Sequence, residues 1–252
     1  MTRLLRRVAR ALLGVERPPV YYLPWLVRPG IDCVLMLSNL EARFRSGHNA
    51  GPFAFRVTQY AADGRLLAEH HTRLERGTDV AEVTLAASDT GWGFVTIGDD
   101  PVQSDLYVTL SDGAAYAATH GRQEFVERYP ARSRAVLAVV GSLLAWLART
   151  VPAFVRYQYA YVGAESRSDL LLLNLSNVTN RIRVVTLPAG SPSVLVRIPP
   201  MGSHLLDISR LAQPAVQGTR VVPLRLEGNA WFNLYVVGAS ERSTPRSLMH
   251  VK

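Results

Sequence analysis

The 252-residue chain has one cysteine, Cys33, and one lysine, Lys252. A lone cysteine excludes a disulfide framework within the chain and any thiolate-rich zinc or iron–sulfur site, and it fits a reducing compartment. Charged residues are scarce, 19% against 48% apolar, so the polar excess of a disordered chain is missing. The length allows one large domain or two of about 125 residues. Also missing is any cluster of residues that spells out a reaction.

Twenty-seven of the 28 cations are arginine, a skew that reads most simply as coding bias and weakens any argument that the arginines were selected for phosphate forks. Their distribution says more. Residues 1–17 carry five arginines against Glu16, a net of +4; residues 18–125 carry 8 cations against 13 anions, a net of −5; residues 126–252 carry 15 against 6, a net of +9. A basic leader, an acidic first body and a basic second body follow one another.

Matched positions recur along the chain. The apolar run 34–40, with Asn39-Leu40 at its end, has a counterpart in 170–175, ending in Asn174-Leu175. Phe55-Arg56-Val57 parallels Ile182-Arg183-Val184. Arg73, Gly77 and Val80 parallel Arg197, Gly202 and Leu205, and Trp92, Val95 and Gly98 parallel Trp231, Leu234 and Gly238. These matches read as a duplicated unit of one helix followed by short strands; the competing reading is chance similarity between apolar strands.

Short runs rich in Val, Leu, Ile and aromatics, bounded by Gly, Pro, Asn and Asp at spacings of about 10 residues, predict antiparallel sandwiches and no parallel α/β sheet. Phe53, Phe55 and Val57 alternate with Ala54 and Arg56, and Ala62-Asp63-Gly64 supplies turn chemistry toward Leu66 and Leu67. In the second unit Ile182, Val184, Val194, Val196 and Ile198 take those parts, and Pro199-Pro200 ends the strand. Tyr157, Tyr159 and Tyr161 have the period of two that marks a strand.

A strand ending in Asn, a charged-aliphatic strand with a Gly or Pro turn, the step Leu205-Leu206-Asp207 and a closing aromatic strand resemble the soluble sensory-rhodopsin-transducer family over roughly 80 residues of each half. That resemblance implies a small β-sandwich that assembles into oligomers beside a membrane photoreceptor, and a binding or scaffold role ahead of a catalytic one. Two fused copies and added helices depart from the family's pattern.

Leu4, Leu5, Val8, Ala9, Leu12 and Leu13 recur at helical spacing, with Arg3, Arg7 and Arg10 on another face and Arg6 at its shoulder. Such a basic amphipathic helix lies in a membrane interface or packs on its own sandwich. A short apolar stretch followed by Glu16-Arg17 argues against a secretory signal. Residues 135–148 are 14 uncharged residues, a helix of roughly 21 Å against the 30 Å or so of a hydrocarbon core. Extension through Pro152 to Val155 would reach 21 residues and could span; the alternatives are a core helix between domains or one docked on a membrane protein.

Enzymatic chemistry has no footing here. His70 and His71 are adjacent on a strand and point to opposite faces. Asp99-Asp100 lacks the series of oxygen ligands a cation needs, Gly91-Trp92-Gly93 lacks the rest of a phosphate loop, and Cys33 sits in an apolar strand start. Asn174 and Asn177 open glycosylation sequons that need a secretory route. Two rivals remain: a nucleic-acid binder, against which Arg181, Arg183, Arg197 and Arg225 are dispersed in sequence, and a carbohydrate module with Trp92 and Trp231 as platforms.

The sequence therefore predicts a mainly β protein: a basic helix in 1–17, a β-sandwich in 18–125, a linker with an apolar helix in 126–160 and a second sandwich in 161–252. The expected function is that of a non-enzymatic accessory subunit on the cytoplasmic face of the inner membrane, bound to an integral membrane complex and to anionic lipid, with no nucleic acid. No catalytic residue, cofactor or metal site is expected. The residues expected to touch membrane or partner are Arg3, Leu4, Arg6, Arg7, Arg10, Leu12, Leu13 and Trp25, then Leu143, Leu144, Trp146, Leu147 and Arg149.

Overall fold

The computed structural model describes residues 11–38, 52–76, 79–85, 91–98, 106–113, 116–146, 152–163, 166–187, 192–208, 211–212, 218–240 and 245–250. In chain order the first half gives β1 (Pro19–Val27), β2 (Asp32–Ser38), β3 (Phe53–Ala61), β4 (Leu66–Leu74), β5 (Val80–Thr84), β6 (Gly91–Gly98), β7 (Tyr107–Ser111), β8 (Tyr116–His120) and β9 (Arg122–Phe125). A helix, α1 (Ala131–Trp146), leads to β10 (Phe154–Gly163), β11 (Ser166–Asn174), β12 (Asn180–Thr186), β13 (Ser193–Ile198), β14 (Ser203–Asp207), β15 (Thr219–Gly228), β16 (Phe232–Ser240) and β17 (Pro245–His250).

All ladders between these strands are antiparallel. The first half forms a five-stranded sheet, β4-β3-β6-β1-β9, and a four-stranded sheet, β5-β2-β7-β8. In the second half β10 and β11 share, among the described residues, only the pair Val162 and Arg167, which divides an eight-stranded sheet into the leaves β13-β12-β15-β10 and β14-β11-β16-β17. Adding nine to each strand number of β4-β3-β6-β1 and of β5-β2-β7-β8 reproduces these two leaves. Three of the four sequence matches fall on strands related in this way. The fourth does not: Trp92 lies on β6, whereas Trp231 immediately precedes β16.

Local sequence explains the strands. On β3, Phe55, Val57 and Gln59 are buried while Ala54 and Arg56 are exposed; on β12, Asn180, Ile182, Val184 and Thr186 are buried while Arg183 is exposed. The β3–β4 turn closes through Gly64 N–H to Ala61 O (2.9 Å), with Asp63 Oδ1 accepting from Arg65 N (2.9 Å) and Gly64 at φ 84°, a conformation that costs glycine no Cβ clash. β10 starts at Phe154 and pairs with β15 along its whole length. Strand thus occupies the end of the expected 126–160 linker, and this overturns a spanning helix extended to Val155.

Leu170, Leu171, Leu172 and Leu173 show no alternation because β11 is covered on both sides. Leu170 and Leu172, with Leu234 and Val236 of β16, enter the core of the second half. Leu171 and Leu173, with Tyr235 and Val237 of β16, enter the core of the first half beside Tyr22, Trp25, Leu35 and Phe94. Strands buried on two faces read as continuous apolar runs. The halves are also stitched by polar contacts: Ser203 N donates to Ala62 O (2.9 Å), the Asn233 amide donates to the Tyr22 hydroxyl and to Glu124 Oε1 (3.3 Å), and Tyr22 meets Tyr235 edge to face at 6.2 Å. The four antiparallel sheets thus share side chains between the halves, and one core belongs to both.

Candidate functional site

Residues 11–13 are helical and end at Gly14, which has a positive φ of 61°. Leu13 and Val15 lie with Leu137 of α1 over a small cluster of Tyr129, Val178 and Ala230, and Ser133 Oγ donates to Leu13 O (2.7 Å). The two helical segments expected to bind a partner are thus brought together. Beside this contact Leu12 is 84% exposed, and Val136, Val139, Val140 and Leu143 on α1 are between 44% and 72% exposed. Their spacing at i, i+3, i+4 and i+7 makes one apolar stripe. No helix among the described residues is long and apolar enough to cross a membrane.

The other expected contact residues divide. Arg3, Leu4, Arg6, Arg7, Arg10, Leu147 and Arg149 lie outside the described residues, as do the side chains of Leu144 and Trp146. Trp25 is core: it is 2% exposed, and its indole donates to Tyr60 O at 2.9 Å. A ring buried to this degree offers no surface to a membrane or partner. Tyr157, Tyr159 and Tyr161 stand exposed on β10, as strand alternation requires.

Where the halves meet, Glu127 is fully buried. Its carboxylate accepts from Tyr129 Oη (2.9 Å) and Trp231 N (3.2 Å) and pairs with Arg17 (3.3 Å). The Arg17 guanidinium lies 3.3 Å over the Phe125 ring, and Phe125 and Phe154 pack on Trp231 at 4.7 and 5.2 Å. Trp231 and Trp92, the candidate carbohydrate platforms, are both half-buried, and Trp231 carries Phe125 and Phe154 packed on it.

A second feature was invisible in linear sequence. A cavity of about 300 Å³ opens between α1, the β11–β12 connection and β13, lined by Arg134, Arg181, Arg197, Asn177, Thr179 and Asn229, with Leu137, Val178 and Pro200 as apolar wall. Arg181 and Arg197 are direct partners across the β12–β13 ladder. The alternation around Ile182 and Val196 could have revealed the pairing, since it fixes the hairpin register.

Asp169 is buried and lies directly opposite Asp207 across the β11–β14 ladder. His71 pairs with Glu69 on the exposed side of β4 (3.2 Å). No group of three His, Cys, Asp or Glu among the described residues is placed to hold a metal ion. Burial pushes the Cys33 thiol from its ordinary 9.0 up to about 12, partly offset by a backbone hydrogen bond from Leu26. At neutral pH it is a protonated core side chain. Asn174, buried, donates to Val178 O (2.8 Å) and Pro199 O (2.7 Å), and Asn177 is bonded in both directions to the Tyr129 backbone. Comparison with protein-family models, with curated proteins and with solved structures finds no match to this chain.

Proposed function

We propose that the protein is a non-enzymatic accessory subunit that seats peripherally on the cytoplasmic face of a membrane, with α1 as its contact to an integral membrane complex. The observation that carries this reading is the stripe Val136, Val139, Val140 and Leu143, continued by exposed Leu12. Exposed aliphatic side chains aligned on one helix face mark an interaction surface, and the sequence of residues 1–10, with Arg3, Arg6, Arg7 and Arg10, adds the cations that anionic headgroups attract. A light-receiving membrane assembly as the partner rests on the strand-rhythm resemblance alone. The nine-strand offset in strand order supports an origin of the two halves by duplication, with Trp92 and Trp231 removed from the set of equivalent positions.

The test is flotation with native membranes and with phosphatidylglycerol-containing vesicles, comparing the natural chain with Val139→Asp/Leu143→Asp. Both positions are exposed, so the variant keeps its fold. Loss of most membrane association supports the assignment; association at the natural level in a folded double variant overturns it.

A further inference from the structure

The cavity beside α1 gathers cations where protein electrostatics disfavours them. Arg181 and Arg197 face each other across β12 and β13, and like charges directly opposite in a ladder are destabilising. Arg134 stands in the first turn of α1, a turn without an acidic residue, where the helix dipole favours anions and opposes cations. Among the described residues none of the three pairs with a carboxylate, and no carboxylate lines the cavity. The scaffold beneath them is fixed: Asn229 Oδ1 accepts from Arg181 N while its amide donates to Thr179 O (3.2 Å), and Asn177 clamps the Tyr129 backbone just before α1. Thr179 also lines the cavity.

We propose that this cavity is a binding site for a small phosphorylated molecule, its phosphate held by Arg134, Arg181 and Arg197 and its organic part against Leu137, Val178 and Pro200. A phosphate monoester's three terminal oxygens can each accept from two donors, enough for a fork from each of three guanidinium groups, whereas the two oxygens of a carboxylate are filled by two forks. The volume of about 300 Å³ lies at the lower end of small-ligand pockets. At 100° per residue, Arg134, Leu137 and Ala138 face away from Val136, Val139, Val140 and Leu143. A bilayer receiving the apolar stripe would thus lie on the far side of α1, so the geometry favours a soluble phosphate compound over a lipid headgroup. The phosphate site itself stands without the membrane assignment; the choice of a soluble ligand over a headgroup rests on it.

The test is calorimetric titration of the full chain at low salt with pyrophosphate and with glycerol 3-phosphate. In parallel, phosphatidylcholine vesicles are measured with and without phosphatidic acid. Each is repeated on Arg181→Gln and Arg197→Gln. Saturable one-to-one binding of a soluble probe that weakens about tenfold or more in each variant supports the site. Arg181-dependent binding of only the phosphatidic acid vesicles supports the phosphate site and reassigns its ligand to a headgroup. Without ligand, both variants should unfold at or above the natural midpoint, because a repulsive pair has been removed. No saturable binding of any probe at millimolar concentration, or binding unchanged in folded variants, overturns the proposal.

Discussion

Replacing Glu127 by alanine removes a group that joins three separate pieces of chain. Its carboxylate is buried and accepts from Trp231 N, accepts from the Tyr129 hydroxyl and pairs with Arg17. Losing an acceptor costs a buried donor about 1–3 kcal/mol, and the Trp231 N–H and the Tyr129 hydroxyl both lose theirs. The Arg17 side chain is 29% exposed and stays stacked on Phe125, so water takes over part of its pairing and its share is below about 1 kcal/mol. The expected loss is about 3–5 kcal/mol, the range seen when one partner of a buried ion pair is deleted. For a chain of this size that lowers the melting temperature by about 6–20 °C. Glu127→Gln keeps an oxygen toward Trp231 and Tyr129 and should cost less than half as much. Urea unfolding followed by tryptophan fluorescence measures both, and a cycle with Arg17→Ala should show coupling above about 0.5 kcal/mol. An alanine variant within 1 kcal/mol of the natural chain, or alanine and glutamine variants of equal stability, would refute the reasoning.

Gly64→Ala should destabilise by more than the roughly 1–2 kcal/mol of a left-handed residue, because the added Cβ would lie 2.0 Å from Pro200 O across the junction of the halves; a shift in urea midpoint worth under 1 kcal/mol would show that this contact yields freely. Cys33, with its thiol pushed up to about 12 by burial, should resist Ellman's reagent at pH 8 until the protein is unfolded. The neutral thiol is favoured by the fold, so its contribution is complete below pH 9 and is lost between pH 9 and 12, at up to about 1.4 kcal/mol per pH unit. Cys33→Ala should lack that component of the alkaline decline, and equal declines in the two proteins would contradict it.

Local chemistry made much of the architecture readable. Phe55 and Val57 announce β3, Ile182 and Val184 announce β12, and Ala62-Asp63-Gly64 forms the turn its residues predict. An aromatic beside a basic helix, such as Trp25, has the sequence character of an interface anchor; strand β1 is instead packed on both faces, and no local pattern states which side chains a distant strand will cover. The helix ends were equally non-local, since Phe154 and Val155 suit either conformation and the ladder with β15 decides for strand. Arg181 and Arg197 look dispersed at sixteen residues apart in sequence, yet antiparallel register makes them neighbours, and only the position of α1 adds Arg134 to them.

The shared core imposes an order of events on synthesis. The strands of the first half are complete at Phe125, but the side chains that close its core, Leu171, Leu173, Tyr235 and Val237, come from β11 and β16. At 5–20 residues per second, the chain from there to the end of β16 takes roughly 6–23 s to emerge. Throughout that interval an apolar face built around Tyr22 waits uncovered on the nascent chain. Exposed apolar surface of this kind is what makes nascent chains prone to aggregation and gives chaperones something to bind.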